Sequence, residues 1–113
     1  MGDCLFCRII AGEIPSQKVY EDEKCYAFRD INPQAPVHIL IAPKEHMRNI
    51  TECAEREDDL AGSLMKAAVK IAKAEGLENG FRLVTNNGQD GCQSVDHLHI
   101  HLMGGKKLSE RMS

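Results

Sequence analysis

Apolar and polar positions change their spacing along this chain, and each change marks an element. Cys4 to about Ala11 reads as a short helix with Asp3 as its N-cap and Gly12 as its end, and Pro15 prevents continuation. Lys18–Glu21 and Cys25–Arg29 read as two strands around the turn Glu21-Asp22-Glu23-Lys24. Asp30-Ile31-Asn32-Pro33 is a turn signal, and Pro36 keeps the next stretch extended. His38-Ile39-Leu40-Ile41-Ala42 is a short, nearly continuous apolar run, as a central strand requires, and Pro43 closes it. From about Glu55 to Glu75, Leu60, Leu64, Ala67, Ala68 and Ile71 recur at helical spacing and predict one long helix. Acidic residues crowd its expected first turns, lysines its later ones, and Gly76 follows. Phe81–Asn86 predicts a strand, Asn87–Val95 a polar loop, and His97–Leu102 the last strand, ended by Gly104-Gly105.

The order is helix, three strands, long helix, two strands. All gaps are short except the helical crossover, so the strand pairings are expected to be antiparallel. The expected fold class is α+β: an antiparallel five-stranded sheet with one long helix and a short N-terminal helix, the helices lying on one sheet face. No repeat or low-complexity segment interrupts it.

Composition narrows the function classes. A chain of 113 residues is one domain in length. A monomer of that size buries only about two-thirds of its unfolded surface, so pairing into a dimer would add burial cheaply. The net charge of −3 argues against nucleic-acid binding, which needs a basic field. Five cysteines and no signal-like start argue against a disulfide framework. No stretch approaches the roughly 20 apolar residues of a membrane span. These features lead us to expect a reduced, soluble, cytoplasmic protein.

The chemistry gathers in Asp96-His97-Leu98-His99-Ile100-His101-Leu102. Alternate residues of a strand share a face, so His97, His99 and His101 should line one side and Leu98, Ile100 and Leu102 the other. Their imidazoles would then sit about 6.5–7 Å apart at the Cα level and titrate together. At least one should stay neutral near pH 7, as a nucleophile or general base requires. A polar strand face that happens to be histidine is the bland alternative. A histidine metal site is the sharper one.

Gln93-Ser94-Val95 before these histidines, and Met103-Gly104-Gly105 after them, resemble the signature of the histidine triad (HIT) family. The resemblance extends to Phe28–His38, Pro43-Lys44-Glu45-His46 and Asn86–Gly91, in family order. Gln-Ser-Val and Gly-Gly resemble the histidine triad nucleotide-binding (Hint) branch, and the pair Cys4 and Cys7 resembles its bacterial zinc-containing type. His101, where the nucleotidyltransferase branch has glutamine, favours hydrolysis. The resemblance implies one HIT domain over residues 1–113 and a two-fold homodimer. It implies a purine nucleoside phosphoramidase-like enzyme that cleaves nucleoside 5′-phosphoramidates or related derivatives through a nucleotidyl-histidine intermediate.

The resemblance also assigns roles. His99 would attack the α-phosphorus. The backbone carbonyl of His97 would orient the His99 ring, and His101 and His38 would complete the polar cluster. Ser94 would bond the leaving atom. Asp30 would accept from the ribose hydroxyls, and Ile31, Phe28 and Phe6 would flank the base or serve as core. Asn86 and the loop through Gly91 and Cys92 would approach ribose and phosphate, although Cys92 stands where a glycine is common.

Cys4-Leu5-Phe6-Cys7 leaves three readings: a redox pair, two buried thiols, or half of a zinc site. By resemblance, zinc would be held by Cys4, Cys7, His46 and His97, in a structural role and not required for catalysis. The tail Lys106–Ser113 departs from the branch, which often ends in a Trp-Pro-Pro-Gly-like segment; this chain has no tryptophan. Two rival functions therefore stay in view: a zinc-dependent hydrolase, and a nucleotide-binding adaptor with vestigial catalysis.

Overall fold

The computed structural model describes residues 4–111. Asp3, expected as the first N-cap, lies outside them. In its place Cys4 caps α1 (Leu5–Ile10), its Sγ accepting from the Cys7 amide at 3.3 Å. Gly12, at φ +83°, follows the helix, and its amide bonds the Ile9 carbonyl.

The strands are β1 (Lys18–Glu21), β2 (Cys25–Arg29), β3 (Val37–Pro43), β4 (Phe81–Val84) and β5 (Ile100–Gly104). They form one five-stranded sheet in the order β1-β2-β3-β5-β4, and every pairing is antiparallel. Between β3 and β4 lie α2 (Ile50–Ala54) and α3 (Leu60–Ala74).

The helical crossover is therefore two helices and not one running from Glu55 to Glu75. The acidic run that seemed to open the long helix precedes it. Asp59 caps α3 by accepting from the Gly62 amide, and Arg56 binds Asp58 and Glu45. These side-chain bonds hold residues 55–59 out of the helix. The expected stripe of Leu60, Leu64, Ala67, Ala68 and Ile71 is buried as a unit.

The helices also fail to share one sheet face. Cys25, Ala27, Ile39, Ile41, Ile100 and Leu102 pack under α3, while Tyr26, Phe28 and Leu40 point the other way and pack with Phe6 and Ile9 of α1. Strand β2 is apolar on both sides, so each of its faces needs a cover.

The last two strands have shifted limits. β4 stops at Val84 rather than Asn86, and β5 begins at Ile100 rather than His97. The backbone before β5 is engaged elsewhere. The Leu98 amide donates to the Met47 carbonyl at 2.8 Å. The His97 carbonyl accepts from the His99 ring at 2.8 Å, and the His99 carbonyl accepts from the Thr85 hydroxyl at 2.9 Å. Side chains and a loop thus replace ladder partners, yet the alternation persists: Leu98, Ile100 and Leu102 all enter the α3-side core.

Candidate active site and metal cluster

His99, His101 and His38 run as a chain of ring contacts on the opposite side from that core. His99 and His101 have ring centroids 5.1 Å apart, and His101 and His38 are 5.2 Å apart. Phe6 of α1 meets the His99 ring edge-on at 4.9 Å and contacts His97 at 5.9 Å. Phe6 and Phe28 are buried and packed together at 5.5 Å, so that Phe28 backs the ring that meets His99.

The hydrogen bonds assign each ring its tautomer. A backbone carbonyl can only accept, so the His99 bond to the His97 carbonyl requires a proton on Nδ1 and leaves a lone pair on Nε2. His97 donates from Nε2 to the Pro43 carbonyl at 2.9 Å, which leaves its Nδ1 free to accept or ligate. His38 accepts on Nδ1 from the Gln34 amide at 2.9 Å, so its proton sits on Nε2. That proton goes to His101 Nδ1 at 2.9 Å, with an Asp30 oxygen 3.4 Å away. His101 in turn carries its proton on Nε2.

Burial keeps these rings neutral. Desolvation lowers the pKa of His38, His97 and His99 below the ordinary 6.5. His101 is pushed down to about 4 by burial, with the His99 and His38 rings adding to the effect. The arrangement therefore offers one unprotonated nitrogen, on His99, beside one N–H donor, on His101. A nucleophile and an acid that can donate to an anion need that pairing.

Asp30, His38 and His101 have ligand-type atoms close enough to suggest a cation site. The tautomers argue against one: His38 Nε2 keeps its proton as long as Nδ1 accepts from the Gln34 amide.

The other sequence-derived positions fall into three groups. Asp30 bonds the Asn32 amide through one oxygen, as a turn aspartate does, and also lines a cavity of about 480 Å³ with Ser16, Gln17 and Ile31. Ile31 is 92% exposed there, unlike buried Phe6 and Phe28. Asn86 donates to the Gly91 carbonyl at 2.6 Å and closes the loop. A Cβ at Gly91 would come within 2.9 Å of the Asn87 backbone, so the tight turn requires glycine. Cys92 sits at φ +59°, a left-handed conformation that glycine adopts without strain, which agrees with the expectation that a glycine suits this position. Ser94 is exposed, and among the described residues its side chain makes no hydrogen bond to the histidines.

Some contributors escaped sequence reasoning. The Pro43 carbonyl, the Gln34 amide and the Thr85 hydroxyl set ring and backbone orientation. Gln93 braces the loop, accepting from the Gly88 amide and donating to the Val95 and Arg48 carbonyls. Gln34, Pro43 and Gln93 lay within blocks that the sequence had singled out, though without these roles, and Thr85 lay outside them.

At the other end, α1 brings its cysteines to His97. Cys4 Sγ lies 3.3 Å from His97 Nδ1, Cys7 Sγ 3.5 Å from the same atom, and Cys7 Sγ 3.3 Å from His46 Nδ1. All four ligand-type atoms lie within 4.8 Å of one another. Tetrahedral zinc with ordinary Zn–S and Zn–N bonds would place sulfur and nitrogen about 3.6 Å apart. The donor set and its spacing therefore fit such an ion. Burial and the neighbouring Cys4 sulfur raise the Cys7 thiol to about 11, so a cation is what would make it a thiolate.

Residues 11–108 match the family model for the HIT domain. The chain belongs to the HIT domain family. This HIT chain is 52% identical over 107 residues to a 14 kDa zinc-binding protein of Zea mays, covering 93% of this chain and 84% of that protein. It is 50% identical over 107 residues to Adenylylsulfatase HINT1 of Arabidopsis thaliana, covering 93% and 73%. Among solved structures, a histidine triad protein from Clostridium difficile superposes with a TM-score of 0.94 at 46% identity, covering 98% of this HIT chain and 97% of the other. A HIT family hydrolase from Legionella pneumophila Philadelphia 1 gives 0.93 at 46% identity, with 98% and 100% covered. No helix among the described residues is long and apolar enough to cross a membrane.

Proposed function

We propose that this protein is a Hint-branch hydrolase of nucleoside 5′-phosphoramidates or related nucleoside 5′-phosphate derivatives, releasing a nucleoside monophosphate. The observation that carries this reading is the His99 ring, whose Nδ1 proton is tied to the His97 carbonyl and whose Nε2 is left unprotonated. His99 Nε2 attacks the α-phosphorus, and the bond from phosphorus to the leaving atom breaks. Water then attacks the nucleotidyl-histidine and returns the electron pair to Nε2. His101, held by His38, donates an Nε2–H hydrogen bond to a phosphoryl oxygen. Ser94 stands ready to bond the leaving atom. Asp30 and Ile31 receive a purine nucleoside, with Phe6 and Phe28 beneath, and Asn86, Gly91 and Cys92 approach the phosphate. The name of the Arabidopsis relative supports hydrolysis of an adenylyl derivative, and that of the Legionella protein supports hydrolysis.

Zinc at Cys4, Cys7, His46 and His97 is proposed as structural. Four protein donors leave no open position of the kind catalytic zinc keeps. A zinc-binding relative supports the metal's identity. The unpaired edge of β4 supports a homodimer joined through the sheet, and five free thiols support a reducing cytoplasm.

The test is intact mass after mixing the protein with adenosine 5′-phosphoramidate and quenching where phosphohistidine survives, with released nucleotide measured in parallel. A nucleotidyl adduct or steady release of AMP is expected, and both should vanish in His99→Ala. Turnover that survives that substitution sinks the mechanism.

A further inference from the structure

On the side of the His38–His101 pair that β4 and the segment after β5 enclose, a cleft of about 690 Å³ opens beside both rings. Its walls include Arg82 from β4 and Lys106, Lys107 and Ser109 from the segment after β5. No acidic residue lines it. Among the described residues, none of these three cations has a carboxylate within ion-pair distance. Arg82 donates to the Ser109 carbonyl at 2.5 Å, which fastens the lysine-bearing segment to β4. The turn that directs it there uses Gly105 at φ +91°, where an added Cβ would lie 3.0 Å from Pro36.

The rings lining this cleft add no charge, because the Gln34 amide and the His38–His101 bond hold both as neutral tautomers. Its positive field therefore comes from Arg82, Lys106 and Lys107. The cavity at Asp30 and Ile31 has a carboxylate, an exposed apolar side chain and Arg29, whose guanidinium is taken up by Glu75. Hydroxyls and a base suit that cavity, and a second anion does not. The site is polarised: a nucleoside fits at the Asp30 end and an anion at the Lys106 end.

We infer that the leaving half of the substrate is itself anionic, carrying a sulfate, phosphate or carboxylate held by Arg82, Lys106 and Lys107. This rests on the proposed hydrolysis at His99 and names its substrate class. In the first step the His99 Nε2–P bond forms and the bond from phosphorus to the leaving atom breaks, with its electron pair going to the leaving group. A leaving sulfate, phosphate or carboxylate oxygen departs without a proton. A leaving nitrogen takes its proton from solvent, while the neutral His101 Nε2–H stays a hydrogen-bond donor to the phosphoryl oxygens, and the distant carboxylate of the leaving group stays on the lysines. Water then splits the N–P bond, its hydroxyl staying on phosphorus and its proton passing to solvent.

A matched pair of substrates tests the charge alone: the adenosine 5′-phosphoramidates of β-alanine and of β-alaninamide. The wild-type ratio of kcat/KM should favour the carboxylate by about tenfold. It should fall towards one in Lys106→Gln/Lys107→Gln and invert in Lys106→Glu/Lys107→Glu. Raising ionic strength should compress the wild-type ratio. Adenosine 5′-phosphosulfate as a third arm distinguishes a directly bonded anion from a distal carboxylate: loss of kcat/KM in the variants for only one shows which source the lysines serve. Equal kcat/KM for the matched pair, or a ratio unmoved by charge reversal, overturns the inference while leaving hydrolysis standing. Absence of turnover and of a His99 adduct with every substrate overturns the hydrolytic reading itself, and the inference with it.

Discussion

His97 and His101 lie on the same side of the chain, but their rings meet opposite surroundings. His97 is fully buried, with one nitrogen on a backbone carbonyl and the other aimed at two cysteine sulfurs. His101 is half-buried, bonded to another imidazole, and borders an open cleft with free cations. The first setting uses up every donor and acceptor of its ring. The second leaves an N–H for a ligand. His99 stands between them, fastened through its Nδ1 to the His97 carbonyl at the closed end and in ring contact with His101 at the open one. One residue type thus builds an anchor, the proposed nucleophile and a donor, and the difference comes from the partner of each nitrogen.

The largest effect that tests this division is at its centre. His99→Ala should lower kcat/KM by about a thousandfold or more, since removal of a covalent nucleophile leaves only binding and electrostatics. Thermal stability should change far less than activity, because the ring is tied down by a single backbone hydrogen bond. Steady-state kinetics and a melting curve on the same sample separate the two.

Metal removal should act on the closed end only. Chelation is expected to cost about 3 kcal/mol or more, a fall in Tm of about 10 °C or more. Zinc should restore it. Initial turnover at 25 °C should persist within about threefold, because the His99 lone pair needs no ion. Activity that disappears with the metal and returns with it would move the chemistry to the closed end and dissolve the contrast.

Much of this contrast was legible in the sequence, and the rest was hidden for specific reasons. The parity of His97, His99 and His101 survives even though β5 starts at Ile100, because side-chain alternation needs extended backbone and not a ladder. The start of β5 was not legible, since it depends on Met47, Thr85 and the His99 ring claiming backbone groups from afar. Cys-Tyr-Ala-Phe in β2 already carried the signal for covers on both faces, as a continuous apolar run does. The break before Leu60 depended on whether Asp58 and Asp59 extend a helix or cap one, and Arg56 decides it. Arg82 and the two lysines read as ordinary surface charge. The pairing of Phe81 with Gly104, the turn at Gly105 and the bond from Arg82 to the Ser109 carbonyl bring them to one cleft.

The open end should show itself in pH dependence. His101 keeps its proton off in the folded chain until about pH 4, whereas an unfolded histidine binds one near 6.5. As pH falls from 6.5 to 4, the unfolded state takes up a proton that the folded state refuses, so stability is lost across that window and not above it. The loss is at most about 3 kcal/mol. His38, His99 and Asp30 face the same ring, so the wild-type curve should be compared with that of His101→Gln. The difference between the two denaturation curves should be flat above pH 7 and slope below 6.5. A flat difference throughout means that His101 titrates normally and that the open end is wetter than its burial implies.

The smallest expected effect concerns the joint between the two ends. Thr85 Oγ1 donates to the His99 carbonyl at 2.9 Å, at the position where β5 has not yet begun and a ladder bond is missing. Thr85→Val keeps the shape and removes the donor, leaving a part-buried carbonyl without it. The cost should be about 1 kcal/mol in stability. Because that carbonyl belongs to the nucleophile, a loosened backbone should also let the His99 ring swing, and kcat should fall by about two- to fivefold with KM little changed. Thr85→Ser restores the hydroxyl and should recover most of both. A Thr85→Val enzyme that is destabilised yet keeps its full kcat would show that the hold on His99 comes entirely from the His97 carbonyl, and so from the closed end alone.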